Sequence, residues 1–192
     1  MPTLRSLAAT LVLLTGFGVS LLAQEAASVL PRPDRITTAA PVPKKSPMNA
    51  ASMRAGEGYV RVVYSQPMLR GRQMLGDQVP YGQLWRLGAN EATELFATRD
   101  LTVGDRVLPA GAYSVFAIPE AEAWTLVFSR DLGQWGAYSY RQERDALRVR
   151  VPVEQIDNPY EAFTIFFADG ELVMAWGTTR AAVPVRFGAA EE

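Results

Sequence analysis

The chain has 192 residues, with 19 basic and 20 acidic side chains, and it contains neither His nor Cys. A formal net charge of −1 without a cluster of basic residues argues against nucleic-acid binding. The missing imidazole and thiol groups exclude Ser-His and Cys-His nucleophile pairs, zinc sites built from His and Cys, and disulfides. We therefore predict no metal and no cofactor, and only carboxylate, Tyr and Arg groups remain for chemistry.

The first 23 residues have the layout of a signal peptide. Arg5 provides a basic start, and residues 7–23 (LAATLVLLTGFGVSLLA) carry no charge. We expect cleavage after Ala23, with Ala26 or Ala27 as alternatives, because this apolar run is at the lower length limit for spanning a bilayer. The alternative is an uncleaved anchor, which would be the only contact with a membrane. The predicted location is extracytoplasmic, either periplasmic or secreted.

Residues 24–57 are rich in Ala, Pro and Ser, and five Pro interrupt them. They show no sustained helical or strand period, so they are predicted to form a flexible linker. Three domain segments are thus expected: a signal peptide over residues 1–23, this linker over residues 24–57, and a folded domain over residues 58–188.

Short alternating runs begin after the predicted linker. YVRVVY (residues 59–64), LRVRV (147–151) and VPVRF (183–187) each alternate apolar with other residues, as strands buried on one face do. Asp169-Gly170 indicates a tight hairpin, and VGDR (103–106) indicates another. Short helical turns are predicted near residues 136–143 and 158–162. The pattern predicts an all-β domain, an antiparallel β-sandwich or flattened barrel of about eight or nine short strands.

Two Arg residues lie on the predicted loop after the first strand, in SQPMLRGRQMLG (residues 65–76). Arg70 and Arg72 could clamp an anion. The alternative is that both are solvated on a loop that Gly71 allows to turn.

The next stretch, VPYGQLWRLGANEATEL (residues 79–95), contains many residue types that are energetically costly to place arbitrarily: two Gly, a Pro, a Trp, an Arg, an Asn and two Glu. In a structural interpretation Trp85 caps the core, Arg86 pairs with Glu91 or Glu94, and Asn90 hydrogen-bonds the turn. In a functional interpretation the same Arg, amide and carboxylate orient a polar ligand beside the Trp ring. Both interpretations remain open at the level of sequence.

Aromatic residues also cluster in GQWGAYSY, residues 133–140. Trp135, Tyr138 and Tyr140 could form a stacking platform for a sugar or another planar group. The alternative is that they cover an edge of the β-domain.

Several of these motifs together resemble a family of secreted bacterial proteins, the domain of unknown function 2911. The resemblance extends over about residues 59–187. It is strongest in WR-GANEAT (residues 85–93) and LPAG-YS (residues 108–114). It implies an exported, β-rich, single-domain module and implies no particular activity. The family motif residues in this sequence are Arg72, Tyr81, Trp85, Arg86, Asn90 and Glu91.

The residues support three hypotheses about function. The first is a non-enzymatic module that binds a small ligand, a glycan or an envelope protein through those motif residues and Trp135. The second is a carboxylate-dependent, glycosidase-like hydrolase that uses Glu91 or Glu94 as acid or base. The third is a purely structural envelope domain. Catalytic residues are not identified by the sequence.

Overall fold

The computed structural model describes residues 44–188. The predicted signal peptide and residues 24–43 of the predicted linker lie outside the described residues. Within the described part, nine strands and one short 3₁₀ helix follow one another along the chain. The strands are β1 (Met48–Ala55), β2 (Gly58–Ser65), β3 (Thr93–Ala97), β4 (Leu101–Val103), β5 (Arg106–Leu108), β6 (Gly111–Pro119), β7 (Ala123–Ser129), β8 (Asp145–Ala168) and β9 (Glu171–Phe187), and the 3₁₀ helix is Gln142–Arg144.

The nine strands are antiparallel and form one open sheet in the order β1-β2-β3-β6-β7-β8-β9-β4-β5. The predicted all-β antiparallel fold is thus confirmed. Two long strands, β8 and β9, each pair with different neighbours along their length, so the sheet folds over on itself. One contact across the folded sheet joins β2 to β8: the hydroxyl oxygen of Tyr64 accepts a hydrogen bond from the backbone N–H of Ile165 at 3.0 Å.

The first strand of the sheet precedes residue 58, where the folded domain was predicted to begin. β1 lies within the predicted linker and pairs with β2 along its whole length, from Met48 opposite Ser65 to Ala55 opposite Gly58. Its side chains are mostly exposed, and its two methionines, Met48 and Met53, do not form an alternating apolar pattern. Backbone pairing along the edge of β2 holds it in place.

The core consists of the inward faces that alternation predicted. Val60, Val62 and Tyr64 on β2 are buried, and so are Leu147, Val149 and Val151 on β8. Arg61 and Arg150 lie on the opposite faces and are exposed. Large aromatic side chains fill the centre: Trp85, Trp124, Phe128, Phe163 and Trp176.

Local turn chemistry is also as expected in two hairpins. Gly104-Asp105 connects β4 to β5, and Asp169-Gly170 connects β8 to β9 with positive φ at both residues (52° and 78°). The helical turn predicted near residues 158–162 was wrong, because these residues continue β8 through a stretch where the register with β9 shifts.

Candidate functional site

The loop of residues 66–92, between β2 and β3, carries most of the predicted site residues and is fastened to the sheet by backbone bonds. Trp85 and Ala117 of β6 exchange N–H···O bonds of 2.7 and 2.8 Å. The loop also reaches β8, where the N–H of Leu69 donates to the carbonyl of Glu161 at 2.8 Å. This part of the chain therefore extends the sheet and has a fixed conformation around Trp85.

Trp85 anchors the loop in the core and is only 8% exposed. Its ring stacks on Trp176 of β9, with centroids 5.7 Å apart and planes inclined by 13°. It also meets Phe163 and Trp124 edge to face, at 5.0 and 5.9 Å. The indole N–H donates to the carbonyl of Gly88 at 3.0 Å, so the polar end of the ring fixes the following turn.

The turn after Trp85 explains the motif RLGAN. Leu87 and Asn90 both have positive φ, 51° and 59°. A Cβ on Gly88 would lie 2.8 Å from the carbonyl oxygen of Ser65, so only glycine fits between the loop and β2. The Thr93 hydroxyl donates to the Leu87 carbonyl at 2.6 Å, and the Asn90 amide donates to the Ser65 hydroxyl at 3.3 Å. The Asn90 side chain thus bonds Ser46 and Ser65, and not the backbone of its own turn as the structural interpretation had predicted.

Arg86 does not make the predicted pair with Glu91 or Glu94. Of the residues that the structure describes, none forms a salt bridge with Arg86, and its buried Nε has no hydrogen-bond partner. One of its terminal nitrogens, Nη1, lies 3.3 Å from the position that a Cβ on Gly136 would occupy. The guanidinium is therefore half-buried without a counter-ion within residues 44–188.

Arg72 is held by backbone oxygens and not by an acid. Its Nε donates to the carbonyl of Leu69 and its Nη2 to that of Met68, both at 3.0 Å. No carboxylate within the described range lies in ion-pair contact with it. Its charge consequently remains available at the protein surface.

Two neighbouring cavities open around these side chains. A cavity of about 380 Å³ is lined by Arg72, Arg86, Trp85 and Trp176, together with other residues of the loop and Ser46. A second cavity, of about 450 Å³, shares Arg72, Met74 and Trp176 with the first and is also lined by Tyr81. Tyr81 is 47% exposed, and its ring packs against Gly76. Four predicted site residues thus line this pair of cavities: Arg72, Tyr81, Trp85 and Arg86.

Glu91 and Trp135 belong to a different cluster, and Lys44 joins them. The Lys44 ammonium is 2.5 Å from the Glu91 carboxylate and 5.8 Å from the centre of the Trp135 ring. The hydrogen bond from Lys44 holds the pKa of the Glu91 carboxyl below its ordinary value of 4.5. Trp135 is 58% exposed beside this pair.

Glu91 and Glu94 line one small cavity of about 220 Å³, separate from the arginine-lined pair. The Glu94 carboxylate accepts the backbone N–H of Gly133 at 2.9 Å and is exposed. A general acid needs a raised pKa, whereas that of Glu91 is lowered. The arrangement thus favours ion pairing and loop anchoring over acid catalysis at Glu91.

The predicted site residues therefore belong to two separate groups, one around the arginine-lined cavities and one around Lys44. Each group also contains residues that were not predicted from the sequence. Trp176 was missed because the run VMAW in β9 has the composition of a core strand. Lys44 and Ser46 were missed because they precede β1 in the predicted linker. The only available signal was that Lys44 and Lys45 are the two lysines of the whole chain.

Comparison with known families gives a match that covers most of the chain. The sequence model described as "Protein of unknown function (DUF2911)" matches residues 46–185, which include β1 and nearly all of β9. The chain belongs to this family. The matched range begins near β1 and so also favours a domain that starts before residue 58. Neither the curated proteins nor the solved structures yielded a match to this DUF2911 chain.

No group of three or more Asp, Glu, His or Cys side chains is placed to hold a metal ion in residues 44–188. No helix in the same range is long and apolar enough to cross a membrane.

Proposed function

We propose that this DUF2911 protein is an exported, non-enzymatic module that binds a small ligand in the cavity lined by Arg72, Trp85, Arg86 and Trp176. Export is supported by the signal-peptide pattern of residues 1–23. The single observation that carries the proposal is that Arg72 and Arg86 line one cavity and that neither forms a salt bridge among the described residues. The missing counter-ion matters for Arg86, because an unpaired charge that is partly buried is costly.

The setting of the cavity supports binding. Trp85 and Trp176 provide rigid aromatic surface, and the backbone bonds of Trp85 fix the loop before any ligand arrives. A preformed, partly apolar cavity with a few convergent polar groups is the usual form of a small-molecule site. A largely prearranged site also loses less entropy when it binds.

Two alternatives have weaker support. The hydrolase hypothesis needs Glu91 or Glu94 as a proton donor, but Lys44 lowers the pKa of Glu91 and Gly133 engages Glu94. A purely structural role explains the Trp85 cluster and the Gly88 turn, but it gives no reason for leaving Arg86 without a partner.

A thermal-shift screen of the whole protein with sugars, anions and envelope fragments tests the proposal. Any compound that stabilises the protein is re-tested on Arg86→Gln and on Arg106→Gln, which removes an exposed charge on β5. We expect stabilisation to be lost only in Arg86→Gln. A screen without a stabilising compound, or compounds that act equally on both variants, would reject the site.

A further inference from the structure

We infer that the ligand of this cavity is a small organic oxyanion, a carboxylate or phosphate ester with an attached ring or chain. This inference rests on the proposed function and adds the chemical class of the ligand. It follows from the hydrogen-bonding groups, the charges and the dimensions around Arg72, Arg86 and Trp176.

The unused hydrogen-bonding groups beside the cavity are donors. Arg86 Nε and the indole N–H of Trp176 belong to lining residues, are buried, and have no acceptor in residues 44–188. Buried N–H groups nearly always have a partner, but neither atom is open to the cavity, so a ligand oxygen reaches them only if the surrounding side chains move. The Trp124 indole N–H also lacks a partner, although Trp124 lines neither cavity. A buried N–H without a partner is therefore weaker evidence for an anionic ligand than the two arginines are.

The charge around the two cavities has one sign. Their linings contain Arg72 and Arg86 and, among the described residues, no Asp or Glu. The nearest acids of the motif are used elsewhere, since Glu91 pairs with Lys44 and Glu94 accepts the N–H of Gly133. A cavity lined by two arginines and by no carboxylate favours a negatively charged ligand.

Arg72 is arranged in advance for such a ligand. Two of its nitrogens are fixed by the carbonyls of Met68 and Leu69, which orient the guanidinium without neutralising its charge. The remaining donors of a planar guanidinium suit the paired oxygens of a carboxylate or phosphate.

The size of the site indicates an organic ligand and not a free inorganic ion. The cavity beside Arg86 has a volume of about 380 Å³, and the adjoining one of about 450 Å³ adds Tyr81, Gln155, Thr178 and Thr179. These side chains can hydrogen-bond hydroxyl groups or cover a ring. An oxyanion at the arginines thus leaves room for the body of the ligand along Trp176.

Matched compounds that differ only in the head group test the inference on the full mature protein. Two sets are used: benzyl alcohol, benzoate and phenyl phosphate, and glucose, glucuronate and glucose 6-phosphate. Binding is measured by titration calorimetry at low and high salt. We expect at least one charged member to bind about tenfold or more tightly than its neutral counterpart, and salt to weaken that binding.

Variants separate the possible results. Arg86→Gln and Arg72→Gln are each expected to lower the affinity for the charged compound about tenfold, whereas Arg106→Gln leaves it unchanged. Equal binding of neutral and charged members, still sensitive to Arg86→Gln, would overturn the oxyanion inference and retain the ligand-binding proposal. Charged compounds that bind nowhere, or that bind independently of both arginines, would also overturn it. Circular dichroism of each variant verifies that the fold is intact.

Discussion

Trp85 in the motif loop stacks on Trp176 in β9, with ring centroids 5.7 Å apart and planes 13° from parallel. The two residues are 91 positions apart in the chain, and their contact joins the loop to β9. Both rings also line the arginine-bearing cavity. Core packing and the candidate site therefore depend on the same two side chains.

Replacing Trp85 with Ala should destabilise the fold strongly. The residue is 8% exposed and contacts three aromatic rings, so the loss is expected at about 3–5 kcal/mol in the free energy of unfolding. Trp135→Ala is the matched control, because Trp135 is 58% exposed and should cost under about 1 kcal/mol. Urea denaturation measures both, and similar losses for the two variants would contradict the assigned packing.

Gly88→Ala tests the close approach between the motif loop and β2. Its new Cβ would lie 2.8 Å from the Ser65 carbonyl oxygen, so the backbone must shift, and we expect a loss of about 1–3 kcal/mol in stability. Gly82 serves as the control, because it has a φ of +74° and open space around it. Gly82→Asn should change stability by less than about 0.5 kcal/mol, since Asn accepts this conformation. A tolerated Gly88→Ala would show that the turn is not packed as described.

The Lys44–Glu91 pair predicts a small stability difference that depends on pH. Because Lys44 lowers the folded-state pKa of Glu91, the pair stabilises the protein fully above the ordinary pKa of 4.5 that Glu91 has in the unfolded chain. That stabilisation is lost as pH falls through the lower folded-state value. Lys44→Met should therefore cost under about 1 kcal/mol at neutral pH, since the pair is exposed, and nothing in strong acid.

NMR titration of the Glu91 carboxyl carbon provides the direct measurement for this pair. The pKa of Glu91 should rise towards its ordinary value of 4.5 in Lys44→Met. Lys45→Met is the control, because Lys45 contributes only its backbone carbonyl, which accepts from Arg70 at 3.0 Å. An unchanged Glu91 pKa in Lys44→Met would show that the ion pair does not form.

The position of β1 predicts where the folded domain begins. A fragment over residues 44–188 should fold, whereas one over residues 58–188 should have a lower melting temperature and a tendency to associate. Removing β1 exposes the edge of β2, whose backbone then lacks eight paired residues. Calorimetry and size-exclusion chromatography compare the two, and identical behaviour would restore residue 58 as the start.

The fold class could be predicted from the sequence because a strand buried on one face alternates apolar and polar residues. Val60, Val62 and Tyr64 follow that period and lie in the core. β1 was missed for the converse reason, since an exposed edge strand needs no apolar face and is fixed by backbone bonds. The order of the strands depends on long-range pairing, which local pattern does not encode.

The candidate site was predictable in its members and not in their grouping. Trp85, Arg86 and Glu91 are close in sequence, but across the turn at Leu87 and Asn90 Arg86 lines the cavity while Glu91 pairs with Lys44. Lys44 and Trp176, which complete the two clusters, come from opposite ends of the described chain. Side chains brought together by tertiary structure leave no local signal in the residues between them.

The central claim is that an oxyanion occupies the cavity of Arg72, Arg86 and Trp176, and an NMR titration with phenyl phosphate tests it most directly. The Arg86 Nε–H and Trp176 indole N–H signals should both shift and should saturate with one dissociation constant. The Trp135 indole signal, in the separate Lys44–Glu91 cluster, should not move. Shifts confined to Trp135, or no saturable shift at Arg86 and Trp176, would contradict the claim.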